Sequence, residues 1–181
     1  MNENSTDRES DLPTALSQSA GATGAARRIA SLQDSRAAID EVIASARRKL
    51  RIFDRDLADA GYRDPARVLL LESFLLASRR NKIEIVLHDT RYLDRDCSRL
   101  MALYRRHAHA FIIHRTVNTA REATDALIIA DEHSHWHLLQ QGLPNAVLAL
   151  GDSVRTASLA HRFAEIWESS EPSVSATVLG L

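Results

Sequence analysis

A run of three alternating histidines is the stretch of this sequence with the clearest capacity for chemistry. The three residues are His133, His135 and His137. Because side chains alternate across a β-strand, the three imidazoles would share one face, where two of them could bind zinc or iron and Asp131 or Glu132 could add an oxygen ligand. The alternation fits equally well a strand that turns its other face into the core. That other face would contain Ser134, Trp136 and Leu138. No second Cys or His pair with metal-ligand spacing accompanies the run, so both interpretations stay open.

Polar side chains follow three predicted strands where the strands end. They form three short groups, Asp54-Arg55-Asp56, His88-Asp89 and His114-Arg115. In open α/β sheets, ligands bind beyond the carboxyl ends of the strands, so these groups would line one crevice suited to an anion or a nucleotide. If the central strand is antiparallel, Thr124 and Asp125 return to the same edge, and Arg115 could bind the anion. The alternative is a set of ordinary loop residues in which aspartates pair with arginines.

Three basic clusters lie at the ends of predicted helices. They are Arg47-Arg48-Lys49, Arg79-Arg80-Lys82 and Arg105-Arg106-His107. Cations at helix ends are favoured by the helix dipole and by unpaired carbonyls, which is sufficient to explain them. These helix ends would nevertheless meet at one edge of the sheet and form a basic rim suited to nucleic acid or an acidic partner. Aromatic residues that could stack on bases are scarce near the clusters.

The hydrophobic pattern predicts helices that alternate with apolar strands through the first two thirds of the chain. Helices are expected over about residues 34–49, 65–78 and 94–107, with a final helix from about residue 153. Strands are expected at about 28–32, 50–53, 82–87, 110–113, 124–131, 135–139 and 146–150. This order predicts an α/β fold with a mixed, mostly parallel sheet and helices on both faces, and the close spacing of the late strands predicts antiparallel additions.

The order of the elements resembles one half of the phospholipase D-like phosphodiesterase superfamily over about Arg28 to Ser170. That family carries an H-x-K-x4-D motif on a late buried strand. When the motif aspartate is aligned with Asp131, Thr124 takes the place of the histidine and Ala126 the place of the lysine. The segment Phe163 to Trp167 resembles the F-x-x-x-W that closes the same fold.

The resemblance implies a fold more than a reaction. In active members two motif copies meet, usually from two halves or two subunits, so a single half implies a homodimer. One histidine attacks phosphorus and the lysines hold phosphate oxygens, whereas Thr124 lacks an imidazole and Ala126 lacks a charge. The expected protein is therefore a catalytically degenerate binding or regulatory module without a cofactor. Its candidate residues for an anionic or phosphate-containing ligand are His88, Asp89, His114, Arg115, Thr124 and Asp131.

Two other functions stay open at this point. One is a phosphodiesterase or other hydrolase with replaced chemistry, which would use either a metal on the three alternating histidines or one of His88 and His114. The other is nucleic-acid binding through the basic rim. Because similar bacterial domains sometimes occur beside acetyltransferase domains, the resemblance also suggests an enzyme partner of that kind.

Composition sets further limits. Among 181 residues, 23 Lys and Arg against 24 Asp and Glu leave a net charge of −1, which argues against binding to nucleic acid or anionic lipid by bulk charge alone. Residues 1–25 are predicted to be a disordered tail, 26–171 the folded domain and 172–181 a flexible tail. A single cysteine, Cys97, the lack of an apolar run of about 20 residues and the lack of a secretory signal predict a cytoplasmic protein with no membrane partner.

Overall fold

The computed structural model describes residues 26–143 and 145–173, which form a mixed α/β fold around one eight-stranded sheet. The helices are α1 (Leu32–Ser45), α2 (Pro65–Ala77), α3 (Arg91–Asp96), α4 (Ser98–Arg106) and α5 (Ser153–Glu168), with a 3-10 turn at Asn118–Glu122. The strands are β1 (Arg27–Ile29), β2 (Lys49–Asp54), β3 (Lys82–Leu87), β4 (Phe111–Thr116), β5 (Ala126–Ala130), β6 (Ser134–Leu138), β7 (Ala146–Leu150) and β8 (Ser170–Pro172).

The sheet is mixed but not mostly parallel. Its strand order is β1-β7-β6-β5-β2-β3-β4-β8. Only β2–β3 and β3–β4 are parallel among these neighbours, and the other five pairs are antiparallel. The prediction of a mostly parallel sheet is therefore wrong. The late connections explain the difference, because β5, β6 and β7 are joined by turns shorter than the dozen or so residues that a parallel crossover needs.

Helices cover both faces of the sheet, and the strands alternate between two cores. In β2, Ile52 packs into the larger core beneath α1, α2 and α4, whereas the next residue, Phe53, packs into a smaller core beneath α5. β5 divides in the same way, with Ile128 in the larger core and Ile129 in the smaller one. This burial on both faces explains why β5 is an unbroken apolar run.

The helix ends follow from local side-chain chemistry. Ser31 accepts a hydrogen bond from the backbone N–H of Asp34 at 3.0 Å, so α1 begins two residues before the predicted start. Asp64 caps α2, which has Pro65 at its first position, and Asp152 caps α5. The predicted helix over residues 94–107 is two helices, because the backbone leaves the helical region at Cys97 (φ −110°, ψ 47°).

The predicted tails fall mostly outside the described residues. This applies to all of residues 1–25 and to residues 174–181 of the C-terminal segment. Within the described part, β8 pairs with β4, and the N–H of Ser173 donates to the carbonyl of Ile113 at 3.2 Å. The described helices include none that is both long and apolar enough to cross a membrane.

The topology brings the ends of β2, β3 and β4 together. Asp54 pairs with Leu87, and Leu87 pairs with Arg115. β5 runs antiparallel to β2, with Leu127 opposite Phe53, so residues 124 and 125 reach the same edge. We call this the carboxyl edge, and we call the opposite edge, where β2, β3 and β4 begin, the amino edge.

Candidate functional site

An open crevice rich in arginine lies at the carboxyl edge. We call it the arginine crevice, and its lining residues are Arg55, His88, Asp89, Thr90, Arg91, Arg115 and Arg121. The sequence predicts that Arg55, His88, Asp89 and Arg115 share a crevice, and the structure brings these four together. It adds Arg91 and Arg121, which the sequence analysis missed because both lie in connections rather than directly at strand ends.

The four guanidinium groups of the crevice keep donors available for a ligand. Arg91 binds Asp89, and Arg115 binds Glu171 at 3.0 Å. Arg55 lies 3.4 Å from Asp56, and Nε of Arg121 donates to the carbonyl of Thr116 at 3.3 Å. A guanidinium has five N–H donors, so these contacts leave several unused on each arginine. The side chains of Arg55, Arg91 and Arg115 are 55%, 89% and 45% exposed.

Asp89 is the one carboxylate that lines the arginine crevice. Hydrogen bonds from the side chain and backbone of Arg91 lower the pKa of Asp89 to about 2. The carboxylate is therefore charged at any physiological pH, and its role is to position Arg91. An anion in the crevice would compete with Asp89 for that guanidinium.

His88 lines the crevice but has both ring nitrogens engaged. Nδ1 lies 2.8 Å from the hydroxyl of Thr116, and Nε2 lies 2.8 Å from the carbonyl of Ala123. Because a carbonyl only accepts, Nε2 carries the proton and Nδ1 accepts from Thr116. The ring also packs edge-on against Phe53. His88 thus connects β3 to the chain before β5, and it offers no free nitrogen for nucleophilic attack.

His114 lies outside the lining of the crevice. Its ring stacks on Trp167 with a centroid distance of 3.9 Å, and Nδ1 lies 2.9 Å from the hydroxyl of Ser170. Burial lowers the pKa of His114, which favours the neutral imidazole. The residue packs the end of α5 against β4, and a ligand contact at this position stays a prediction.

The motif positions contain no group for phosphoryl transfer. Thr124 is exposed at the carboxyl edge, and Ala126 is 1% exposed. Asp125, between them, points to the opposite face and binds Arg162 of α5 through two hydrogen bonds of 2.7 and 2.6 Å. Thr124 and Ala126 therefore supply neither an imidazole nor an ammonium group at this edge.

Asp131 lies at the amino edge and not with the other candidate ligand-binding residues. Its φ of 55° places it in the left-handed region, at the turn between β5 and β6. Its carboxylate accepts the backbone N–H groups of Arg47, Arg48 and Lys49, each at 2.8 Å. Asp131 and His88 therefore do not lie in one site. Asp131 follows the far end of β5, about one strand length from the carboxyl edge.

His135 and His137 lie on β6 and share its face beneath α5, whereas His133 is exposed in the turn before β6, and each histidine has its own partner. Their nitrogens lie 3.1 Å from Ser153 Oγ (His133), 2.8 Å from Thr156 Oγ1 (His135) and 3.2 Å from Asp125 Oδ2 (His137). Burial lowers the pKa of His135, although Asp152 opposes the effect. In residues 26–143 and 145–173, no group of three His, Cys, Asp or Glu side chains has a geometry that could hold a metal ion.

A family model described as a domain of unknown function, DUF7931, matches residues 31–179. The chain belongs to the DUF7931 family. A comparison with curated protein sequences gives no match.

Solved structures similar to this DUF7931 chain share its fold at low identity. TrmBL2, an archaeal chromatin protein whose structure shows a mode of DNA binding, is 14% identical with a TM-score of 0.61, over 87% of this chain and 57% of its own. Nuc from Salmonella typhimurium, a phospholipase D family member, is 14% identical with a TM-score of 0.57, over 83% of this chain and 99% of its own. NucT from Helicobacter pylori is 13% identical with a TM-score of 0.52, over 82% of this chain and 100% of its own. The DUF7931 chain therefore has a phospholipase D-like fold.

The predicted basic rim of the DUF7931 chain lies at the amino edge, opposite the arginine crevice. Lys49 and Lys82 are paired across the starts of β2 and β3, and Ile83 pairs with Phe111 at the start of β4. Arg47, Arg48, Arg79 and Arg80 are exposed next to these starts. Arg106, in the third cluster, binds Glu72 at 2.8 Å.

Proposed function

We propose that this protein is a phospholipase D-like binding module that holds an anionic, phosphate-containing ligand in the arginine crevice and does not perform the phosphoryl transfer of the resembled family. One observation carries the proposal, namely four arginines around a crevice with a single lining carboxylate. Arginine recognises phosphate through paired N–H donors in a planar fork, and each arginine here has donors to spare.

The loss of phosphoryl transfer follows from the side chains near the crevice. A phosphohistidine mechanism needs an accessible imidazole nitrogen, but both nitrogens of His88 are bonded and His114 is packed against Trp167. Thr124 has no described base beside it, and Ala126 has no charge. A ligand phosphate would therefore be bound without being attacked.

Binding of pyrophosphate to the full chain tests the proposal by isothermal titration calorimetry. Arg115→Gln combined with Arg121→Gln removes two guanidiniums from the crevice and should weaken binding roughly 10- to 100-fold, because a hydrogen bond to a charged group contributes about 1.5–3 kcal/mol. Arg80→Gln, at the amino edge, is the matched control and should bind as the parent does. Equal weakening by the control, or no binding by the parent, would contradict the proposal.

Nucleic-acid binding through the basic rim is a second candidate. The observation that favours it is the position of the rim, which collects exposed arginines from two connections along one edge of the sheet. In fluorescence anisotropy with a short DNA duplex, rim binding would be weakened by Arg80→Gln but not by the crevice variant, and it would fall steeply with salt. The crevice variant and Arg80→Gln thus distinguish the two candidate functions, because each variant should weaken binding to only one of the two surfaces.

We also propose that the chain forms a homodimer and binds an enzyme partner such as an acetyltransferase, as the resemblance implies. Sedimentation across a concentration series would measure the first, and co-purification from the native host would measure the second. The replaced-chemistry alternative has no supporting metal geometry within the described residues.

A further inference from the structure

A cavity of about 270 Å³ lies beside the arginine crevice, between the start of α1 and the carboxyl edge of the sheet. Its walls include apolar side chains from α1 and four strands, among them Ile29, Ile39, Ala126, Trp136, Leu138 and Ala146. Its charged lining residues are Asp54, Asp56, Asp59, Arg36 and Arg55. The volume is just below the range of about 300–1,000 Å³ that is typical of drug-sized ligands, so it suits a small molecule.

The small side chain of Ala126 leaves room in the cavity. Ala126 begins β5 and occupies the position that aligns with the motif lysine, and it is 1% exposed. Because Ala126 lines the cavity, a longer side chain at this position would extend into it. Ala126 thus leaves space at the position that the resemblance aligns with the motif lysine.

Asp54 is a carboxylate in this cavity that lacks a cation. Oδ1 accepts the backbone N–H groups of Asp56 and Leu57 at 3.3 and 3.4 Å, and no described Lys or Arg forms an ion pair with it. Burial raises the pKa of Asp54 to about 6 and outweighs the backbone hydrogen bonds that lower it, and repulsion from Asp56 adds a smaller increase. A partly buried charge without a partner costs stability, and a cationic ligand would offset that cost.

The two arginines that line the cavity contact partners other than Asp54. Nε of Arg36 donates to the carbonyl of Asp59 at 2.9 Å, and Nε of Arg55 lies 3.4 Å from Asp56. Arg55 also lines the arginine crevice. With three carboxylates against two arginines, the cavity has an excess of negative charge, unlike the crevice beside it.

Trp136 supplies an aromatic surface in the same cavity. The residue is 3% exposed, and its indole Nε1 has no hydrogen-bond partner among the described residues. An aromatic ring offers a large apolar surface against which an aliphatic chain can pack. The cavity therefore combines a carboxylate with apolar walls, which suits a ligand that has a positively charged group and an aliphatic chain.

We propose that this cavity binds a small primary alkylamine, with its ammonium group on Asp54 and its carbon chain against Ala126, Trp136 and Leu138. The site is separate from the anion site proposed above and takes a ligand of opposite charge. Its existence does not depend on pyrophosphate binding in the crevice.

Titration of the ¹⁵N-labelled full chain with pentylamine hydrochloride tests this proposal by NMR. The chain has 2 tryptophans, so the indole region contains one signal from Trp136 and one from Trp167. Pentylamine should shift the Trp136 signal and leave Trp167, which stacks on His114 beneath α5, unchanged. Asp54→Asn and Ala126→Val should each weaken binding at least about tenfold, since one removes the charge and the other fills space. Asp94→Asn, on exposed α3, is the control and should not change the affinity.

Two analogues of pentylamine, one neutral and one anionic, show whether the charge or the shape of the ligand determines binding to the cavity. Equal affinity for 1-pentanol would mean that the cavity binds any chain of this size, and binding of pentanoate instead of pentylamine would mean that the arginines dominate. Either result, or unchanged binding by Asp54→Asn, would overturn the proposal. The Asp54→Asn side chain keeps an oxygen that can accept from Asp56 and Leu57, so this variant should fold, and two sharp indole signals together with a parental circular dichroism spectrum would confirm that it does.

Discussion

Asp131 holds a turn in place and needs no catalytic role to explain it. One carboxylate accepts three consecutive backbone N–H groups at the start of β2 and thereby joins the β5–β6 turn to that strand. Its left-handed φ of 55° is a conformation that Asp and Asn tolerate better than Ala. Backbone hydrogen bonding and the left-handed turn are thus sufficient to explain an aspartate at this position.

Substitution of Asp131 should therefore destabilise the fold. Asp131→Ala removes the acceptor of three N–H groups and strains a left-handed position, so we expect a loss of about 2–3 kcal/mol in the free energy of unfolding. Asp131→Asn keeps one acceptor oxygen and should lose about half as much. Urea denaturation measures both, with Asp94→Asn as the control for loss of a surface carboxylate. A parental midpoint for Asp131→Ala would show that water replaces the carboxylate without cost.

The docking of α5 on the sheet depends on the ion pair between Asp125 and Arg162. Asp125 lies directly before β5, is 6% exposed and also contacts His137 at 3.2 Å. Burial alone would raise the pKa of Asp125, but hydrogen bonds from Arg162 and His137 hold it well below its usual range. This network positions α5 over the smaller core. The local sequence pattern around Arg162 does not predict the pair, because the two partners are 37 positions apart in the chain.

Removal of Arg162 should cost more than removal of another arginine on the same helix. Arg162→Ala leaves the buried Asp125 carboxylate without its main partner, and we expect a loss of about 2 kcal/mol, below the 3–5 kcal/mol of a fully buried pair because the Arg162 side chain is 41% exposed. Arg155→Ala removes a longer contact of 3.6 Å to the buried Asp152, which keeps its hydrogen bond from the backbone N–H of residue 155, and should cost less than about 1 kcal/mol. Thermal unfolding followed by circular dichroism compares them. Equal losses would mean that the Asp125 pair contributes no more than this longer contact.

The sequence predicts elements better than it predicts their pairing. Apolar periodicity locates most helices and strands, and strand ends correctly bring His88 and Arg115 to one edge. It does not reveal that β5 enters the sheet beside β2 in the antiparallel direction, because a doubly buried strand is apolar in either orientation. It also cannot reveal the cavity, since the residues that line it come from segments far apart in the sequence.

For the whole molecule, Asp54 should make stability fall as pH rises across the mildly acidic range. The native pKa, about 6, lies above the ordinary value of 3.8, so the folded chain holds this proton more tightly than the unfolded chain does. The contribution is complete below about pH 4 and decreases up to about pH 6, by at most about 3 kcal/mol. Asp54→Asn cannot titrate and should flatten this part of the profile, giving a more stable protein at pH 7. Urea denaturation at several pH values measures the difference, and parallel curves for parent and variant would contradict it.

The two outer strands also determine how copies of this chain can associate. β1 and β8 each have three residues, and each pairs with one neighbour. β8 ends in Pro172, which has no N–H to donate, and β1 presents the exposed charges of Arg27 and Arg28. Prolines, charges and short length at a sheet edge prevent the addition of further strands and so protect against fibril-like aggregation. We therefore expect any self-assembly of the described domain to use side-chain surfaces, such as the helices or the carboxyl edge, rather than a sheet continued from one copy into the next.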